Sequence, residues 1–158
     1  MSKDIIYIDY DETLNIYGKM IDASEGGFEG VRDEGGIRAT LDFVQNDLYY
    51  PTFADKLTYL MYRFCSGHFF NDGNKRIALT LGTYFLHKNK YYWHACTCMR
   101  TLESIIYHVA ASNIDQDLLL RIVNSFLTSK DYDEELKIDI ANAMSKGELG
   151  IQGEDYEQ

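Results

Sequence analysis

Apolar positions recur at three- and four-residue spacing along most of this chain. Leu14, Tyr17, Met20 and Ile21, preceded by Asp11 and Glu12 at the favourable end of the dipole, predict a helix over Asp11–Ala23. A short helix is predicted over Ile37–Asp47. A strongly striped one follows over Thr52–Ser66, where Phe53, Leu57, Leu60, Met61 and Phe64 share a face and Pro51 suits the first turn. Ile77, Ala78, Leu81, Tyr84 and Phe85 predict a helix over Asn74–Lys88, and further helices are predicted over Thr101–Ala111, Asp115–Leu127 and, more weakly, Asp133–Ser145. Between them, Ile5–Ile8 is too short to assign. Ser24–Gly36, crowded with glycine, is a loop or hairpin, and Gly67–Gly73 is a break. Tyr91–Cys98 reads as a short aromatic connector and Gly147–Gln158 as a frayed acidic tail. The expectation is a mainly α bundle of six to seven helices with one small β-hairpin. Without βαβ alternation a doubly wound parallel sheet is not expected.

The length of 158 residues suits one domain, drawn at 1–130, with residues 131–158 as a C-terminal helix and acidic tail. Composition is ordinary for a globular chain, with 46% apolar and 25% charged residues. The net charge of −10 opposes sequence-independent binding to nucleic acid or an anionic membrane, but leaves room for a small cationic pocket. Three cysteines (Cys65, Cys96 and Cys98) give no disulfide framework. Without an apolar run of membrane-spanning length or a leader pattern, the expected setting is the cytoplasm.

Chemistry concentrates in His68-Phe69-Phe70-Asn71-Asp72-Gly73-Asn74-Lys75-Arg76, between two strongly periodic helices. The Gly73-Asn74 turn delivers the chain into a helix whose first N–H groups are free and whose dipole is positive there, which makes a ready anion seat. Lys75 and Arg76 add charge that opposes helix stability at that end and favours a bound polyphosphate. Asp72 is placed to hold Mg²⁺ against phosphate oxygens. His68 is a base titrating near neutrality, within reach of an attacking hydroxyl. Phe70 should turn inward as an anchor. Capping and turn formation would explain any one of these residues; a base, an acid, a glycine turn and two cations within nine residues go beyond it.

His68-x-Phe70-x-Asp72-Gly73-Asn74-Lys75-Arg76 resembles the core motif of the Fic/Doc superfamily, and its Lys75 form resembles the Doc (death-on-curing) branch. The run Gly30-Val31-Arg32-Asp33-Glu34-Gly35-Gly36 and the helical layout are also similar, so the resemblance covers roughly Asp11 to Leu127. It implies a Fic-like helical bundle with a hairpin flap, and transfer of a phosphate-containing group from a nucleotide, here ATP with Mg²⁺, to a hydroxyl of a target protein. Carried over, His68 is the base, Asp72 the metal ligand, Gly73 and Asn74 the anion hole, and Lys75 and Arg76 the phosphate contacts. Glu25, Gly26, Gly27, Phe28, Glu29, Gly30 and Val31 would form the flap, which docks the target by strand addition. AMP-transferring members have glycine at the Lys75 position and a second arginine where this chain has Leu79. Both departures resemble Doc, in which the nucleotide lies reversed and the γ-phosphate moves, although Doc often has alanine at the Gly73 position. The resemblance points to elongation factor Tu as a target class and to a toxin restrained by a separate antitoxin chain. The inhibitory pattern Ser/Thr-x-x-x-Glu is not matched at either terminus, Ser145-Lys146-Gly147-Glu148 having the wrong spacing. The alternatives are AMP transfer, or an inactive Fic-fold binding module, which the intact His68, Asp72 and Arg76 argue against.

Two other patterns compete. Ile5–Ile8 followed by Asp9-x-Asp11-x-Thr13 resembles the first motif of haloacid-dehalogenase-type phosphatases, but that chemistry requires a parallel sheet that the later sequence does not predict. His94-x-Cys96-x-Cys98, if extended, would put three ligands on one side for Zn²⁺ with His87 as a fourth. Its spacing departs from the usual C-x₂₋₄-C, and buried free cysteine is common.

Overall fold

The computed structural model describes residues 4–23, 30–128 and 130–155, with side chains up to 146. Among these, seven helices follow one another: α1 (Tyr10–Ala23), α2 (Glu34–Phe43), α3 (Phe53–Ser66), α4 (Asn74–Lys88), α5 (Tyr92–Ala110), α6 (Gln116–Leu127) and α7 (Glu134–Asp155). The protein is mainly α, as expected. The hairpin is not seen. Residues 24–29 of that segment lie outside the described residues, and the described part holds an isolated antiparallel bridge, Val31 to Phe70.

Helix α4 is the hub. It packs on α3 and α5 along its flanks and on α1 across a third side, while α3 also packs on α6. Ile77, Ala78, Leu79, Leu81, Gly82, Phe85 and Leu86 are all buried, too many for one stripe, as a helix covered on several sides requires. Helices α3 and α4 approach closely at Gly82, where a Cβ would stand 2.6 Å from the Met61 sulfur. Phe64, Phe85, Leu57, Met61, Ile77, Leu81 and Leu102 fill the centre.

Several boundaries differ from expectation. Helix α2 begins at Glu34, through Gly35-Gly36, because Asp33 caps it by accepting the Gly36 N–H at 2.8 Å. Pro51 precedes the cap of α3 instead of sitting in its first turn. Thr52 is the cap, with Asp55 in a reciprocal capping box. The Tyr91–Cys98 connector is the first part of α5: buried Ala95 and Cys98 continue the spacing of Leu102, Ile105 and Val109. The tail read as frayed is helical to Asp155.

The competing patterns lose their premises. Asp9 caps α1, accepting the Glu12 N–H at 2.8 Å, and its carbonyl accepts the Thr13 hydroxyl at 2.9 Å. The Asp9-x-Asp11-x-Thr13 run is thus a helix start, and no sheet stands behind it among the described residues. On α5, His94, Cys96 and Cys98 diverge. Cys98 is buried, Cys96 is exposed, and His94 packs edge-on against Tyr91 and Phe126. No group of three metal-ligating side chains occurs among the described residues. Nor is any helix there long and apolar enough to cross a membrane.

Candidate active site

The seam between α3 and α4 is made by a sharp reversal. Helix α3 ends at Ser66, with the Gly67 N–H returning to the Arg63 carbonyl at 2.8 Å. His68 then adopts φ 52, a left-handed conformation disfavoured for a residue with a Cβ. Its side chain is exposed, while Phe69 and Phe70 are 1% exposed. Phe69 meets Phe64 edge-on at 5.2 Å, and Phe70 stacks on Tyr17 of α1 at 3.9 Å between ring centroids. The expected inward turn of Phe70 is therefore present, and two buried rings hold the backbone that presents His68.

Hydrogen bonds fix the rest of the loop. The Asn74 carboxamide oxygen accepts the Phe70 N–H at 3.1 Å and its NH₂ donates to the Phe70 carbonyl at 3.0 Å. The Phe69 carbonyl accepts the N–H groups of Arg32 (2.8 Å) and Asp33 (3.0 Å), and the Gly30 carbonyl accepts from Asn71 (3.0 Å). Gly30 and Val31 thus act on the loop's backbone. The other proposed flap residues, Glu25 to Glu29, lie outside the described residues.

Gly73 precedes α4 with φ 80, where a Cβ would meet the Met20 methyl at 3.1 Å. It offers no side-chain cap. The first helical bond of α4 is donated by Ile77 to the Gly73 carbonyl at 2.8 Å. The N–H groups of Asn74, Lys75 and Arg76 therefore have no partner within the helix. The Asp72 carboxylate accepts the Gly73 N–H at 2.8 Å on one oxygen, and the other lies 3.7 Å from the Arg76 guanidinium. The Lys75 ammonium sits 5.2 Å from the centre of the Tyr107 ring of α5, an arrangement that directs it across the helix seam.

These residues line one cavity of about 440 Å³: His68, Asn71, Asp72, Gly73, Asn74, Lys75 and Arg76, with Cys65 and Ala110 as apolar wall. The volume is in the range of small-ligand sites, about 300–1,000 Å³. A larger cavity of about 600 Å³ lies elsewhere, lined by Ile5, Ile6, Phe53 and Tyr91 among others, and two more of about 520 and 500 Å³ are lined by His94 with Arg100 and by Tyr10 with Arg38; none of the three holds a motif residue. All six motif residues proposed from sequence converge in the cavity of about 440 Å³. The Asn74 side chain, however, is turned to the loop's backbone, so its contribution toward an anion is its main-chain N–H. Burial pushes the Cys65 thiol up to about 11, with Lys75 opposing the shift, so the cavity wall is neutral at ordinary pH.

Sequence reasoning missed Cys65, Asn71 and Ala110 as lining residues, and Tyr17 as more than core. The Tyr17 hydroxyl donates to the Asp72 carbonyl at 2.9 Å. The available signal was chemical: a tyrosine in a buried stripe needs a partner for its O–H.

The seam thus sets a histidine in a left-handed backbone conformation beside an uncapped helix N-terminus that carries two cations. The Fic/DOC family model matches residues 7–86, half of the chain, including all of this seam. The chain belongs to the Fic/DOC family, whose members point to a transferase that modifies proteins from a nucleotide. A search among curated proteins gives no match.

Proposed function

We propose that this protein is a Doc-type enzyme that transfers the γ-phosphate of ATP to a hydroxyl of a target protein, acting as a toxin restrained by a separate antitoxin chain. The observation carrying this reading is the single cavity that gathers His68, Asp72, Lys75, Arg76 and three N–H groups of α4 left without a helical partner.

The donor set fits a magnesium polyphosphate. One Asp72 oxygen is held by the Gly73 N–H while the other faces the cavity side near Arg76, and anionic oxygen is what a hard cation requires. When bound, Mg²⁺ would neutralise phosphate charge and orient the transferring group. The chain's own residues do the rest. The N–H groups of Asn74, Lys75 and Arg76 and the α4 dipole bind phosphate oxygens. The Arg76 guanidinium, reaching around the turn, stabilises charge on the group in transfer. A ring nitrogen of His68, exposed to an incoming protein, accepts the proton of the attacking hydroxyl.

Two features favour γ-phosphate over AMP transfer. Lys75 places a point charge and a side chain on the cavity lining, where glycine would leave bare backbone. Leu79, at the position of the second arginine of AMP-transferring members, is 8% exposed and belongs to the core, so that position supplies no second guanidinium. The test is ATP labelled separately at the α and γ positions, offered with a lysate from a translating bacterium as acceptor. The expected result is protein labelled from the γ position alone. Label from the α position would make the protein an AMP-transferase, and none from either would favour a binding module.

A further inference from the structure

We propose that Tyr17 is a positioning residue that locks the Asp72–Gly73 peptide and, through it, the Asp72 carboxylate. Its consequence for catalysis rests on the transfer reading; the lock itself does not. Tyr17 is 3% exposed on α1, its ring stacked on Phe70 and its hydroxyl donating to the Asp72 carbonyl. No peptide is cis in the described chain, and in a planar trans unit the C=O and N–H point in opposite directions. Drawing the Asp72 carbonyl toward α1 therefore turns the Gly73 N–H away from α1, toward the cavity. There it donates to an Asp72 carboxylate oxygen at 2.8 Å and leaves the second oxygen beside Arg76.

The lock is needed because the next residue in the chain is glycine. Rotation of this peptide changes ψ of Asp72 and φ of Gly73, and glycine accepts either sign of φ with little penalty. Met20 and Ile21 crowd the same side, at 3.1 and 3.5 Å from a Cβ built on Gly73. Those apolar contacts restrict where the turn can go. The Tyr17 hydroxyl is the polar contact that sets which way its carbonyl faces.

Tyr17→Phe keeps the ring stack and removes the hydroxyl. Three readouts separate positioning from a purely structural role: the Gly73 amide resonance, the Mg²⁺ dependence of ATP binding, and kcat against acceptor KM. We expect the Gly73 amide signal to move or broaden while that of Ile77 stays, and half-saturating Mg²⁺ to rise about five- to tenfold, the effect of one lost hydrogen bond. We also expect kcat to fall with acceptor KM unchanged. A wild-type Gly73 signal and an unchanged Mg²⁺ curve in the variant would overturn the proposal, even if transfer in the wild type is confirmed. If the wild type binds no Mg²⁺-ATP yet the Gly73 signal responds to Tyr17→Phe, the transfer reading fails and the lock stands.

Discussion

Helices α3 and α4 are neighbours in sequence and in the core, yet they begin in opposite ways. Helix α3 opens with Thr52 and Asp55 in a reciprocal capping box, the acid lying in the first turn where the dipole favours it. Helix α4 opens with Gly73, no side-chain cap and no acid in its first turn, and with Lys75 and Arg76 against the dipole. One start pairs donors of its own through the capping box; the other leaves the N–H groups of Asn74, Lys75 and Arg76 without a helical partner. Stability lost at the α4 start is recovered in its body, which is buried on several sides.

The largest expected effect separates chemistry from binding at the α4 end. His68→Ala should lower transfer by about 10²–10⁴ while ATP affinity stays within a few-fold, read by single-turnover transfer and calorimetric titration. Activity near wild type would remove His68 from its role.

Next is a pH effect from the α3 side of the cavity. Burial raises the Cys65 thiol from 9.0 to about 11, so the folded state keeps a proton that the unfolded chain releases. Stability from this group is complete below about pH 9 and declines as pH rises toward 11, by on the order of 1–2 kcal/mol. Denaturant unfolding at pH 8 and pH 10.5 should show a smaller loss in Cys65→Ala than in wild type.

The two helix starts can then be exchanged in character. Thr52→Ala should cost about 1 kcal/mol, or roughly 2–4 °C in melting temperature, with transfer unchanged. His68→Gly should do the reverse, gaining about 1 kcal/mol by relieving the left-handed backbone while lowering transfer as far as His68→Ala does. Smallest in stability is Lys75→Glu, which should gain about 0.3–1 kcal/mol from the dipole and weaken ATP binding. Destabilisation by both site variants would mean that the α4 start is built for the fold alone.

How much of this could be read in advance depended on distance along the chain. The site motif lies within nine residues, and its gathering at one turn was legible because the two flanking helices carry clear stripes. The Tyr17 contact was not, since Asp72 is 55 positions away and helical spacing alone already accounted for a buried tyrosine. The start of α5 is hidden because Tyr91, Tyr92 and Trp93 suit an extended aromatic connector, while the small buried residues Ala95 and Cys98 carry the helical period. At α7, the acidic terminal segment Gly147–Gln158 is expected to fray, yet the helix runs to Asp155. Local caps such as Asp33 overrode the low propensity of Gly35-Gly36.

Backbone amide resonances can decide whether the α4 N-terminus is a phosphate seat. On titration with Mg²⁺-ATP, the amides of Asn74, Lys75 and Arg76 should shift together and saturate, while those of Ala54 and Asp55 at the capped start of α3 stay in place. Shifts confined to Ile6, Phe53 and Tyr91, around the larger cavity, with none at Asn74 to Arg76, would contradict that assignment.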